Sequence, residues 1–533
     1  MTNKLYYGDN LAVLRESIKD ESVDLIYLDP PFNSNANYNV LFKSPSGEQS
    51  HAQIEAFEDT WCWNQEAENA FDEVMQGKNT DVAEMLRSMR TFLRENDMMA
   101  YLTMMTVRLV ELHRVLKDTG SIYLHCDPTA SHYLKIILDA VFGKANYRNE
   151  IIWKRGAPKN NAKQGSKHFG RTSDTIFFYT KNKDYTFNHQ YEEYSQQEIK
   201  SKFKYKDDVD YFCLHPLDGP GGEQKGNPVY ELLGVTRSWR YSKNNMDSLL
   251  AAGKIYQAKA GNVPMKKFYL HESKGVEFQN VWTDLTNLRG NSSEYLGYPT
   301  QKPLSLLERI VQASSNEGDV VLDPFCGCGT AVHAAEKLGR KWIGIDITNL
   351  AISLIEKRLK DAFPQIKFEV HGTPKDFEGA KALADADKYQ FQWWAVSLVS
   401  AVPFGGRKKG ADGGIDGHIY FKPDGKNTEK AVVSVKGGNN VSVSMIRDLA
   451  HVVEREKAKI GVFITLAEPT EPMRKEAIKE GYYETGFGKY PKIQIITIQD
   501  LFDGKQPNIP LVDPSAFKRA KVEINEEQRK LNL

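Results

Sequence analysis

Residues 22–32 read Ser22-Val23-Asp24-Leu25-Ile26-Tyr27-Leu28-Asp29-Pro30-Pro31-Phe32, and they constrain the fold more than any other stretch of the chain. Val23 to Leu28 is an apolar run with one charge, the length of a buried strand. Two prolines end it, because neither carries an N–H and both fix φ. Asp29 and Phe32 therefore stand at the strand's C-terminal end, the edge at which open α/β sheets bind ligands. An acid, a rigid carbonyl and a ring in that place suit one kind of chemistry. The exocyclic nitrogen of adenine or cytosine shares its lone pair with the ring and is a poor nucleophile. Asp29 and the Pro30 carbonyl can each accept one of its hydrogens, and Phe32 offers a face to a base turned out of the stack. Asp-Pro-Pro is also ordinary turn composition, so these residues alone leave that chemistry open.

A second stretch repeats the pattern. Val320-Val321-Leu322-Asp323 runs into Pro324-Phe325-Cys326-Gly327-Cys328-Gly329-Thr330-Ala331, a glycine-rich turn opening a helix of small residues. Gly327 and Gly329 let the backbone approach a ligand closely, and Asp323 can take a cationic amine. Lys341 to Asp346 is a further strand ending in an acid, and Asp346 lies 23 positions after Asp323. That is near the spacing at which an acid meets a ribose hydroxyl pair in nucleotide-binding βαβ units. The turn has no Gly-x-Gly-x-x-Gly and no phosphate-binding lysine. A cofactor with a ribose but no pyrophosphate fits, and S-adenosylmethionine is such a cofactor.

Taken together, the two motifs closely resemble those of the amino-group DNA methyltransferases, in the permuted order of the family's β class. Tyr7-Gly8-Asp9-Asn10, Gly120 to Asp127 and Tyr298-Pro299-Thr300-Gln301-Lys302-Pro303 add to the resemblance, which covers roughly residues 1–375. It implies an α/β, Rossmann-like S-adenosylmethionine-dependent methyltransferase fold, with Asp29, Pro30, Pro31 and Phe32 catalytic. It implies cofactor contacts from Asp9, Lys302, Asp323, Pro324, Phe325, Gly327, Gly329, Thr330 and Asp346; Asp9 reads equally well as a helix N-cap. The implied reaction is methyl transfer to N6 of adenine in double-stranded DNA. Cytosine N4 is the alternative, since the motif serves both amines, and Asp at its first position leans toward adenine. A homodimer is one assembly the resemblance allows.

Lysine plus arginine and aspartate plus glutamate each number 70, so a DNA surface must be local rather than global. The stretch after Ile151-Ile152-Trp153 carries Lys154, Arg155, Lys159, Lys163, Lys167 and Arg171 without an acid, and beside a base-flipping site it suits phosphate contacts. Arg237 and Arg240 are further candidates, in a region where the α/β rhythm stops. Residues 33–65 read as a long loop beside the catalytic turn. The expected division is a catalytic half over 1–184, target recognition over 185–298, a cofactor half over 299–377, a further domain over 378–512 and a charged tail over 513–533. Five cysteines without a Cys-x-x-Cys pair, and no apolar run of ~20 residues, fit a cytoplasmic enzyme with no membrane partner.

The further domain resembles the Mrr-like branch of the PD-(D/E)xK nucleases. Asp416 precedes one strand, and Lys436 ends the next, Ala431-Val432-Val433-Ser434-Val435-Lys436. The resemblance implies Mg²⁺ on Asp416 and an attacking water polarised by Lys436. Two positions depart from the pattern: Ser434 stands where Glu, Asp or Gln is usual, and Gln392 where Glu is. A chain that both modifies and cuts DNA is therefore the second class of reading, and a DNA-engaging accessory domain the third. A piece ending near Asp376 is expected to fold and keep S-adenosylmethionine binding.

Overall fold

The computed structural model describes residues 2–31, 37–43, 49–58, 62–156, 167, 169–289, 292–298, 300–404, 414–510, 512 and 523. Contacts divide the chain into Met1–Asn188 with Asn280–Leu533, and His189–Gln279. The first unit is built on β1 (Asn3–Tyr7), β2 (Val23–Leu28), β3 (Leu116–Cys126), β4 (Tyr147–Lys154), β5 (Ser173–Thr180), β6 (Val281–Trp282), β7 (Val320–Asp323), β8 (Lys341–Asp346) and β9 (Phe368–His371). They form one sheet in the order β6-β4-β5-β3-β2-β7-β8-β1-β9. The run from β3 to β9 is parallel, and β5 is antiparallel to both its neighbours.

Strands β2 and β7, far apart in the chain, lie side by side, with Leu25 beside Val321 and Ile26 beside Leu322. From β2 the chain crosses to β3 on one side; from β7 it crosses to β8 on the other. Their shared C-terminal edge is the switch point of the sheet, where a crevice opens. Both faces of β2 are covered, which is why it reads as a continuous apolar run rather than an alternating one. Ile26 and Leu28 pack with Met105, Leu109 and Leu112 of the helix Asp97–Val115, while Leu25 and Tyr27 pack with Leu306, Leu307 and Ile310 of the helix Leu304–Ser314. The 97–115 helix ends just before Leu116, which turns extended and opens β3.

The stretch read as a long loop contains an antiparallel ladder, Asn37–Lys43 against Gln49–Glu58. Its sequence carries the reason: Tyr38, Val40 and Phe42 recur at every second position, the period of a strand. Farther on, β10 (Val402–Pro403), β11 (Gly417–Phe421), β12 (Glu429–Lys436), β13 (Ile460–Thr465) and β14 (Ile493–Thr497) form a second sheet in sequential order. Val433 and Val435 face Phe391 and Trp394 of the helix Lys388–Leu398, and Val432 faces Ile446 and Leu449 of the helix Val443–Arg455. The unit His189–Gln279 holds a small antiparallel sheet and a core of Leu217, Leu232, Trp239 and Met246. Among the described residues no helix is long and apolar enough to cross a membrane.

Candidate functional site

The crevice at the ends of β1, β2, β7 and β8 is a cavity of about 300 Å³. Asp9, Asp29, Pro30, Pro31, Lys302, Asp323, Pro324, Phe325, Gly327, Thr330 and Asp346 all line it, so residues from both ends of the methylase-like sequence meet in one place. Phe32 falls outside the described residues. Gly329 is not in the lining; it caps the helix Thr330–Lys337 with φ +77°, and a Cβ there would stand 2.9 Å from Ile355 Cγ1.

Asp29 and Lys302 form an ion pair in which Nζ donates to Oδ2, with only 15% and 11% of the two side chains exposed. Asp29 Oδ1 is buried and has no hydrogen-bond partner among the described residues. Lys302, expected at the cofactor, thus grips the acid expected to do chemistry. Asp323 sits deeper. Burial pushes its carboxyl up to about 8, against the Phe325 N–H that its Oδ1 accepts at 3.0 Å, and the charge of Asp29 adds to the push. A buried neutral acid poised this way suits a cationic partner. Asp346 stitches the turn together: Oδ2 accepts from Gly327 N at 2.9 Å, and Oδ1 from both N and Oγ1 of Thr348 at 2.9 Å.

Asp9 is both an N-cap and a wall of the cavity. Its Oδ1 accepts from Ala12 N at 3.1 Å, and its Oδ2 from Arg108 Nη2 at 2.7 Å. Arg108 Nε also donates to Asn10 Oδ1 at 2.6 Å, and Asn10 Nδ2 to the Pro324 carbonyl at 2.9 Å. Arg108 thereby fastens the start of the chain to the cofactor turn. Sequence reasoning passed over it, although an arginine three after Met105 and four before Leu112, on an apolar helix stripe, was a readable signal. A second network was also missed. Tyr27 OH pairs with His125 Nδ1 at 3.0 Å, His125 Nε2 with Asp174 Oδ2 at 3.3 Å, and Arg155 Nε lies 3.3 Å from Asp174 Oδ1. Burial alone raises Asp174, but the His125 hydrogen bond holds its carboxyl below the usual range. His125 is thus a strut beneath the cavity wall, held between Tyr27 and Asp174.

The family described as DNA methylase matches residues 23–357. The chain belongs to that family. It is 31% identical over 366 residues to the type II methyltransferase M.EcaI of Enterobacter cloacae, a match spanning 67% of this chain and 69% of that one. It is 26% identical over 356 residues to the DNA adenine methyltransferase YhdJ of Escherichia coli, covering 67% and 82%. With the StyLTI Mod subunit, a type III restriction-modification enzyme of Salmonella typhimurium, identity is 27% over 358 residues, covering 64% of this chain and 50% of the subunit. A second family, described as restriction endonuclease, matches residues 383–503, so this methylase carries an endonuclease-like domain behind its cofactor half.

The residues present fit S-adenosylmethionine, the cofactor of such methylases. Asp323 offers a carboxyl that a nearby cation would ionise, Asp346 stands at the end of β8, and Gly327 (φ +54°) leaves room that a Cβ would narrow to 3.3 Å from Tyr298. The candidate DNA contacts of the methylase are scattered. Lys154, Lys167 and Arg171 are exposed, Arg155 is engaged by Asp174, and Lys159 and Lys163 fall outside the described residues. Arg237 and Arg240 are exposed on the unit His189–Gln279, where Arg240 Nε donates to the Asp218 carbonyl at 2.9 Å. Lys254 pairs with Glu272, and Lys267 with Asp207 at 2.7 Å.

In the endonuclease-like domain, Asp416 reaches across to β12. Its N–H donates to the Val433 carbonyl at 2.8 Å, and its Oδ2 accepts from Val435 N at 2.6 Å, beside Ser434 and Lys436. Among the described residues no three His, Cys, Asp or Glu side chains gather to hold a metal. Mg²⁺ there would rest on Asp416 and neutral oxygens, a poor set for a hard cation.

Proposed function

We propose that this methylase transfers a methyl group from S-adenosylmethionine to N6 of adenine in double-stranded DNA. One observation carries the reading. Asp29 lines the cavity that also holds Asp323, Gly327 and Asp346; Lys302 fixes its Oδ2, and its buried Oδ1 has no hydrogen-bond partner among the described residues. A buried acceptor without a donor is costly, and an exocyclic amine satisfies it. When bound, the cofactor supplies an electrophilic methyl. The protein's part is to aim the amine. Asp29 Oδ1 and the Pro30 carbonyl accept its two hydrogens and draw density onto nitrogen. Its proton becomes acidic only as the methyl is gained, so no base of matched pKa is needed beforehand. Lys302 holds Asp29 in one orientation, and Arg108 and Asp346 keep the surrounding turns in register.

Target recognition is assigned to residues 185–298, and the exposed Lys154, Lys167 and Arg171 to the phosphates. A cytoplasmic location and a homodimer complete the reading. The adenine assignment draws on the likeness to YhdJ and on Asp at the first motif position. Mass spectrometry of nucleosides from DNA of an expressing host tests it: N6-methyladenine is expected, and N4-methylcytosine alone would overturn the choice of base.

A further inference from the structure

The helix Lys388–Leu398 belongs to the endonuclease-like domain, yet one of its faces is buried against the cofactor half. Gln390 Oε1 accepts from Asn349 N at 3.0 Å, and Asn349 Nδ2 reaches the Gln390 carbonyl at 3.4 Å; both residues are buried. Asn349 opens the helix Asn349–Ala362, whose first N–H groups have no partner within the helix. Gln390 supplies one of them from another domain. The residue before Asn349 is Thr348, which donates twice to Asp346 Oδ1, and Asp346 Oδ2 in turn takes the Gly327 N–H. A continuous polar path thus runs from Gln390 to the glycine turn.

An apolar path runs beside it. Trp393 is buried in a cluster with Tyr298, Cys328, Leu350 and Val402. Tyr298 and Cys328 line the cavity, and Tyr298 Cε1 lies 3.3 Å from the place a Cβ on Gly327 would take. Without the 388–398 helix, Tyr298 and Cys328 would lose their backing, and the Asn349 N–H its acceptor. Neither Gln390 nor Trp393 is in the cavity lining, so both act through other residues.

We propose that Gln390 and Trp393 are positioning residues of the cofactor site, so that the methylase half binds S-adenosylmethionine at full affinity only with the endonuclease-like domain seated on it. The inference rests on assigning the cavity to that cofactor. By linkage it is reciprocal: a ligand that tightens the glycine turn also tightens the seat of the 388–398 helix.

The full chain is titrated with S-adenosylmethionine by calorimetry, beside Gln390→Met, Gln390→Glu, Trp393→Ala and Asp323→Asn, each first shown folded by circular dichroism. Gln390→Met is expected to raise Kd about ten-fold, the scale of a buried donor left unpaired, with kcat at saturating cofactor within about two-fold of normal. Gln390→Glu, which keeps an acceptor oxygen at the same reach, is expected to recover most of the loss. Amide hydrogen exchange over 388–398 should slow when the wild-type chain is saturated with S-adenosylmethionine. Wild-type affinity in both Gln390→Met and Trp393→Ala, with exchange unchanged, would overturn the inference. If Trp393→Ala fails to fold, the Gln390 pair decides alone. Equal binding by wild type and Asp323→Asn would instead remove the cofactor assignment of the cavity, a separate failure.

Discussion

At the scale of single residues, the proposed site depends on how three carboxyls, one buried and two partly buried, divide their work. Asp29 is held by Lys302, Asp346 is engaged by the backbone, and Asp323 waits for a cation. Burial lifts Asp323 to about 8, above its value in the unfolded chain. The folded protein therefore holds an extra proton between roughly pH 4 and 8, and this group subtracts stability as pH rises through that window. A bound cation reverses the shift. At pH 7, calorimetry in buffers of different ionisation enthalpy should detect release of about one proton per S-adenosylmethionine, and Asp323→Asn should abolish it. Binding without proton release would mean that Asp323 is already ionised. Lys302 makes a sharper prediction. If it orients Asp29, Lys302→Ala lowers kcat by roughly 10- to 100-fold with little change in the KM for cofactor. A raised KM with normal kcat would return it to the cofactor contacts that the sequence resemblance assigns it. Arg108 shows why a residue can be missed: its role is fixed by Asp9 and Asn10, 99 and 98 positions away, and no local pattern announces those partners.

At the scale of elements, strand ends decide the chemistry. The apolar runs ending in Asp29, Asp323 and Asp346 were legible because buried parallel strands are continuous, and the first two stop abruptly at Pro30 and Pro324. Their order in the sheet was not legible, because the pairing of Leu25 with Val321 is a long-range event. The ladder Asn37–Lys43 with Gln49–Glu58 stands in a stretch whose many polar residues read as a loop, although Tyr38, Val40 and Phe42 alternate as a strand requires. The glycine turn has a local test. Gly329 has φ +77° and Ile355 2.9 Å from its would-be Cβ. Gly329→Ala should therefore cost about 1–3 kcal/mol, seen as a lower melting temperature. An unchanged melting temperature would show that the helix Asn349–Ala362, which carries Ile355, gives way freely.

At the scale of the whole molecule, the endonuclease-like domain was anticipated by resemblance, and a restriction-endonuclease family matches residues 383–503. Its fold followed from the strands around Asp416 and Lys436, but its seat on the cofactor half did not. The buried Gln390–Asn349 contact argues against the expectation that a piece ending near Asp376 keeps full S-adenosylmethionine binding. With Asp416 as the acid beside Ser434 and Lys436, plasmids of any methylation status should stay intact in Mg²⁺; clean cutting, lost in Asp416→Ala, would assign the domain a working nuclease. The central claim is that two distant strand ends make one site in which Asp29 aims an amine at a methyl donor. Its most direct test measures transfer of radiolabelled methyl groups to DNA by the full chain and by Asp29→Ala, with S-adenosylmethionine binding measured on the same preparations. Loss of transfer with cofactor binding retained is the predicted result; near-normal transfer by Asp29→Ala would contradict it.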